Sequence, residues 1–148
     1  MKVINTNRKA SHDYFLLDKY EAGIVLTGTE IKSIRHNGLN LKDSYVRISN
    51  DMQAYIVNLH IAHYSMGNQF NHDETRQRKL LLHKKEINKL YQEMKEQQLT
   101  IVPTKVYFTN GMVKLEIALA KGKKNYDKRE SEKVKDANRQ IAKALKNY

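Results

Sequence analysis

The chain contains no cysteine, so neither a disulfide framework nor a thiolate metal site can form, which suits a reducing compartment. Apolar residues never run past about five in a row, far short of the roughly twenty that span a bilayer. The opening stretch MKVINTNRKASHDY has no apolar signal region either. These absences point to a soluble, cytoplasmic protein with no membrane partner. Proline occurs once, at Pro103; lacking an N–H, it marks an edge or a bend in the strand that holds it. Acid is scarce relative to base: 16 Asp and Glu stand against 27 Lys and Arg, a net charge of +11. A polyanion is the natural partner of such a chain, nucleic acid ahead of an anionic membrane surface.

A length of 148 residues allows one domain with a sizeable core and a tail. The surplus charge divides the same way. Residues 121 to 148 carry a net +6 and the other 120 residues only +5. The expected organisation is a domain over 1–122 followed by a basic C-terminal tail over 123–148.

Strand periodicity runs through most of the body. YFLLDKYEAGIVL (14–26) is rich in aromatic and β-branched residues, and Gly23 inside it suggests a bulge or a barrel corner. SYVRI (44–48) and QAYIVNLHIAHY (53–64) follow, separated by the turn signal Ser49-Asn50-Asp51, and RKLLLH (78–83) is another short run. LTIVPTKVYF (99–108) and MVKLEIAL (112–119) are joined through Asn110-Gly111, a hairpin signal because both residues tolerate positive φ. Val113, Leu115, Ile117 and Leu119 share one face, the pattern of a sheet with one wet side.

Two helices interrupt the strands. Thr27-Gly28-Thr29-Glu30 fits a capping box, with Ile31 and Ile34 on one face and Gly38 near the end. KKEINKLYQEMKEQQ (84–98) sets Ile87, Leu90, Tyr91 and Met94 in one apolar stripe. The fold class that follows is mainly β with flanking helices. About six short antiparallel strands with two packed helices, and no βαβ alternation, argue for a closed barrel of the OB type.

Catalytic chemistry finds little support. His60 and His63 sit in no metal-ligand grouping, and Asp13, Glu30, Asp43 and Asp73 are scattered acids that capping or solvation explains. With no phosphate loop or nucleophile motif, the chain reads as a non-enzyme without metal or cofactor. The segment GNQFNHDETRQRK (67–79) joins Gly, Asn and His to Arg76, Arg78 and Lys79, groups suited to phosphate and ribose oxygens, although an ordinary polar connection would look similar. Asn7, Arg8 and Lys9 are open to the same two readings, a solvated arm or a backbone clamp. Among Tyr14, Tyr45, Tyr55 and Tyr64, some stack on bases in this reading and most belong to the core.

Taken together, GTEIKSIR (28–35), NLKDSYV (40–46), GNQFNHDETRQRKLLLHKKEI (67–87), LTIVPTKVYF (99–108) and ALAKGKKNYDKRE (118–130) closely resemble the motifs of the small protein B family, the SsrA-binding proteins. The resemblance runs in order from Asn7 to the end of the chain, and the family's OB-type barrel with flanking helices agrees with the periodicity. It implies an RNA-binding factor of trans-translation. Such a factor binds the tRNA-like domain of transfer-messenger RNA (tmRNA, SsrA RNA) and supports its alanylation. It then delivers the RNA with elongation factor Tu to stalled 70S ribosomes, contacting small-subunit RNA there. Alanyl-tRNA synthetase and elongation factor Tu would be partners through the tmRNA.

Position by position, the resemblance implies RNA-binding roles for Asn7, Arg8 and Lys9, for Glu30 of the Gly-Thr-Glu motif, and for Gly67, Asn68, Asn71, His72, Arg76, Arg78 and Lys79. Lys121 and Lys123, which open the tail motif, are given RNA-binding roles as well. Lys124, Tyr126, Asp127, Lys128 and Arg129 continue it as the ribosome-engaging part, expected to sense an mRNA channel empty of codon. Val134, Ala137, Ile141, Leu145 and Tyr148 would give a helical tail a thin apolar stripe, too little to hold it folded alone. Glu74 stands where the family often has proline. The rival readings are a general OB-fold module for single-stranded RNA and, more remotely, a metal-dependent nuclease.

Overall fold

A computed structural model describes residues 1–64 and 71–123. Gly67 and Asn68, the tail residues Lys124, Tyr126, Asp127, Lys128 and Arg129, and the tail's apolar stripe lie outside the described residues. The described elements run β1 (Lys2–Thr6), α1 (Arg8–Asp13), β2 (Tyr14–Ile24), α2 (Gly28–Arg35), β3 (Leu39–Asn40), β4 (Tyr45–Ile48) and β5 (Ala54–Val57). They continue with β6 (His60–Ile61), β7 (Arg78–Leu81), α3 (Lys84–Gln97), β8 (Thr100–Thr109) and β9 (Met112–Gly122).

All strand pairings are antiparallel, and they return on themselves. The order β8-β4-β5-β7-β2-β9 closes because β9 also pairs with β8, so six strands form a ring. β1 is added along β8, and β3 with β6 makes a separate two-stranded ladder. The ring encloses the main core, in which Ala22, Ile34, Leu41, Ile56, Leu59, Ile61, Leu80, Leu90, Ile101, Leu115, Ile117 and Leu119 are essentially without solvent contact.

Local chemistry accounts for the joints. Asn110 and Gly111 adopt φ of 51° and 77° between the paired ends Thr109 and Met112, a two-residue turn that both residues tolerate. In α2, Thr27 is the N-cap: the Glu30 carboxylate accepts from its backbone N–H at 2.8 Å, and its own hydroxyl accepts from the Glu30 N–H at 3.4 Å. The helix ends through Asn37 at φ 62°, and the Gly38 N–H donates to the Ser33 carbonyl at 2.8 Å. Ile87 and Leu90 of α3 are buried, and Met94 packs against the same core.

Four expectations need correction. The stretch 53–64 is two strands rather than one, because Asn58 turns the chain at φ 63°. Of the two readings of Gly23 the bulge does not hold, because the irregular register of β2 falls between Leu16 and Lys19; Gly23 pairs with both Leu81 and Lys114, and a Cβ there would lie 3.2 Å from the Leu81 Cβ. Helix α1 was not expected, and it changes the reading of β9: Ala120 packs with Ala10 and Val102 in a second small core, so that end of the sheet is covered on both faces. Finally, Tyr14, Tyr45, Tyr55 and Tyr64 are none of them buried. Pro103 does mark a bend, for the β8–β9 register shifts between Pro103 and Lys105.

Candidate nucleic-acid interface

The candidate residues fall into two groups. The first surrounds the start of α2. Glu30 has no solvent exposure, and four donors from three residues converge on it: Arg76 Nη2 at 2.6 Å from Oε1 and Nε at 3.4 Å from Oε2, Arg78 Nε at 2.5 Å from Oε2, and the Thr27 N–H. Burial alone would raise the Glu30 carboxyl, but the hydrogen bonds from Arg76, Thr27 and Arg78 outweigh it and hold its pKa below the usual carboxylate value. Arg78 is equally buried and ties this carboxylate to distant chain: Nη1 donates to the Leu59 carbonyl at 2.6 Å, and Nη2 to the carbonyls of Asp73 and Glu74 at 3.2 Å each. Burial draws its pKa down and Glu30 opposes that, so it stays a guanidinium.

His72 is also buried and bridges two elements. Its Nε2 lies 2.8 Å from the Ile61 carbonyl, which can only accept, so Nε2 carries the proton; in the neutral ring Nδ1 then accepts from the Thr29 hydroxyl at 2.9 Å. Asn71 clasps Tyr64 in both directions, its Oδ1 accepting from the Tyr64 N–H at 2.8 Å and its Nδ2 donating to the Tyr64 carbonyl at 2.7 Å. The segment 67–79 therefore supplies anchors as well as cations. Arg76 is about one third exposed, while Lys79 projects from β7 into solvent.

The second group surrounds α1. Asn7 is buried as its N-cap: Oδ1 accepts from the Ala10 N–H at 3.1 Å, and Nδ2 donates to the Pro103 carbonyl at 2.9 Å and the Leu41 carbonyl at 3.4 Å. Such an arm is fixed, not loosely solvated. Arg8 and Lys9 lie exposed on the helix it starts, and Lys9 pairs with Asp43 at 2.6 Å, a hydrogen bond that raises the lysine and lowers the carboxyl. The root of the tail arrives at the same place. Gly122 pairs with Tyr14 and Lys121 with Phe15, the Lys123 N–H donates to the Asp13 carbonyl at 2.9 Å, and the Lys123 ammonium lies 5.1 Å from the Phe15 ring centroid. Arg8, Lys9, Lys121 and Lys123, 115 positions apart in sequence at the extremes (123 less 8), thus come together around one short helix.

The two groups are linked through the β3–β6 ladder. Ile61, whose carbonyl receives His72, pairs with Leu39, whose carbonyl receives the Asn5 side-chain amide at 3.2 Å. Sequence reasoning missed Thr29 and Asp43 as partners of His72 and Lys9: Thr29 stands in the Gly-Thr-Glu motif and Asp43 among the scattered acids, and neither spacing points to its partner. Among the described residues no three His, Cys, Asp or Glu side chains are grouped to hold a metal ion, and no helix is long and apolar enough to cross a membrane.

Comparison with known proteins is specific. The family described as SmpB protein matches residues 4–147. The SsrA-binding protein of Sulfurihydrogenibium sp. is 59% identical over 145 residues, covering 98% of this chain and 95% of the relative. That of Shouchella clausii is 57% identical over 145 residues, covering 98% and 92%. Among solved structures, a chain from a study of tmRNA-SmpB and the centre of the bacterial ribosome superposes with a TM-score of 0.68 at 45% identity, covering 80% of this chain and 83% of that one.

Proposed function

The chain belongs to the SmpB family, and from that premise we propose that it is an RNA-binding protein of trans-translation, which binds the tRNA-like domain of tmRNA and accompanies it to stalled ribosomes. The observation that carries this reading is the match to SsrA-binding proteins over nearly the whole chain at more than half identity. The neighbouring structure, by its description, concerns tmRNA and the ribosome together. The six-stranded ring supports reading the fold as an OB-type barrel, a class that binds nucleic acid on its strands and loops.

In this reading the candidate residues divide the labour. Asn7, Glu30, Asn71, His72 and Arg78 spend their polar atoms within the fold and position the RNA-facing surface. Arg8, Lys9, Arg76, Lys79, Lys121 and Lys123 carry the charge that meets phosphate. Gly67 and Asn68 are given an RNA-binding role with them in this reading. Support of alanylation and delivery with elongation factor Tu follow as consequences of holding the tRNA-like domain in a productive shape.

Residues 123–148 form the ribosome-engaging tail, with Lys124, Tyr126, Asp127, Lys128 and Arg129 at its start. A basic segment of this kind recognises an mRNA channel empty of codon by occupying it, its ordering cost offset by phosphate contacts. The test is a reconstituted tagging reaction with the chain truncated after Gly122. Binding to tmRNA should largely survive and peptide tagging on stalled ribosomes should fail. Normal tagging by the truncated chain would refute the role given to the tail.

A further inference from the structure

A cavity of about 190 Å³ opens between α1 and the start of β4, with Lys9, Asp13, Tyr14, Asp43, Tyr45 and Thr100 in its lining. Its size is below the roughly 300–1,000 Å³ of sites that engulf drug-sized ligands, which suits a single flat ring system. Its floor is chemically quiet. The Asn7 amide is fully engaged, and the Ser44 hydroxyl donates to the Leu41 carbonyl.

The walls and rim are not quiet. Tyr14 and Tyr45 both border the cavity, and Tyr45 remains 39% exposed although Val46 beside it is in the core. A tyrosine held at the mouth of a cavity offers a rigid face to another ring at little entropic cost. At the rim, the Lys9 ammonium engages Oδ1 of Asp43, and among the described residues no hydrogen bond occupies Oδ2. Asp13 also lines the cavity, and its carboxylate Oδ1 lies 3.0 Å from His12 Nδ1.

With Lys9 already committed to Asp43, the cavity offers a phosphate group no free cation among the described residues, so the phosphate-seeking cations Arg8 and Lys123 act outside it. What suits the interior is a neutral planar group whose edge presents N–H donors to a carboxylate and whose faces stack on tyrosine. Guanine fits best among the bases, because its N1–H and N2–H₂ form two adjacent donors.

We propose that this cavity receives one unpaired nucleobase of the bound RNA, guanine in preference, stacked on Tyr45 and Tyr14 with its donor edge turned to Asp43. The proposal rests on the RNA-binding reading above and adds to it a base-specific contact beside the phosphate-binding helix.

The experiment titrates the full chain, Tyr45→Ala and Tyr45→Phe against the tmRNA tRNA-like domain and against versions of it in which each unpaired guanosine in turn is abasic. Tyr45→Ala should bind the intact RNA about tenfold more weakly, the scale of one lost base stack. Tyr45→Phe, which keeps the ring, should stay within about twofold of the parent. One abasic RNA should show the same loss with the parent chain and no further loss with Tyr45→Ala. Thermal melts of the variants, expected to be unchanged at so exposed a residue, separate lost binding from lost fold. Parental affinity in Tyr45→Ala, or losses that add for every abasic RNA, would overturn the cavity assignment while leaving the RNA-binding reading intact. A parent chain with no preference for the tmRNA domain over an unrelated RNA would instead overturn both.

Discussion

Arg78 and Glu30 meet in the interior with neither side chain exposed, the guanidinium Nε 2.5 Å from the carboxylate. An ion pair so placed holds the fold together only as a pair, because either partner alone is a charge stranded away from water. Arg78 also binds the carbonyls of Leu59, Asp73 and Glu74. The pair therefore fixes β7, the connection before it and the start of α2 in one arrangement.

Replacing Glu30 with Ala should cost about 3–5 kcal/mol, the range for breaking a buried pair from one side. Urea melts of the variant would measure it. Any loss of RNA binding in Glu30→Ala should then track loss of fold, and binding measured at low temperature on the folded fraction should recover much of its strength. A variant with an unchanged melt and abolished binding would show Glu30 to be a direct contact.

The same carboxylate sets an acid limb. Its folded pKa lies below the unfolded value of 4.5, so the unfolded chain takes up this proton first as pH falls. The stabilisation is present above the unfolded pKa and is lost as pH falls through the folded one. Stability of the parent chain should fall as pH drops below about 4.5. In Glu30→Gln that part of the slope should be absent, which melts across an acid pH series would reveal.

Asn7 and Arg8 are neighbours with opposite duties. Asn7→Ala removes a helix cap and leaves the Pro103 carbonyl without its side-chain donor, at a cost of about 2 kcal/mol. Arg8→Ala should leave stability within about 0.5 kcal/mol. Its effect belongs to binding: weaker affinity for RNA, with a salt slope shallower by about one released counterion.

Gly38 is required by space. A Cβ there would lie 2.2 Å from the Ser33 hydroxyl oxygen and 3.0 Å from the Ser33 carbonyl oxygen. Gly38→Ala should destabilise by about 1–3 kcal/mol, and adding Ser33→Ala should recover part of that. Gly28→Ala, with nothing within 4 Å of the new Cβ, is the control and should be close to neutral. Thermal unfolding of the four chains decides it.

Local signals were legible where a residue's own chemistry dictates its backbone. Asn110-Gly111 makes its turn, Thr27 and Glu30 cap α2, and Ile87, Leu90 and Met94 seat α3, all from neighbours a few positions apart. What the sequence hid depends on partners brought together by the fold. Arg78 reads as a surface cation until Glu30, 48 positions away, is folded against it. Helix α1 has six residues, too few for a periodic stripe, and its cap Asn7 looked like part of an arm. The tyrosines were assigned to the core by their apolar bulk, yet Tyr45 and Tyr55 lie on faces opposite buried Val46 and Ile56. The family resemblance named the candidate interface; only the geometry separated anchors from exposed cations within it.

The most direct measurement is a titration of the intact chain against the tmRNA tRNA-like domain and an unrelated structured RNA of equal length, over a series of salt concentrations. A factor that reads shape with positioned contacts should prefer the first, and the preference should persist at physiological salt. Equal binding to both RNAs, vanishing together as salt is added, would contradict the account and leave a basic module held by counterion release alone.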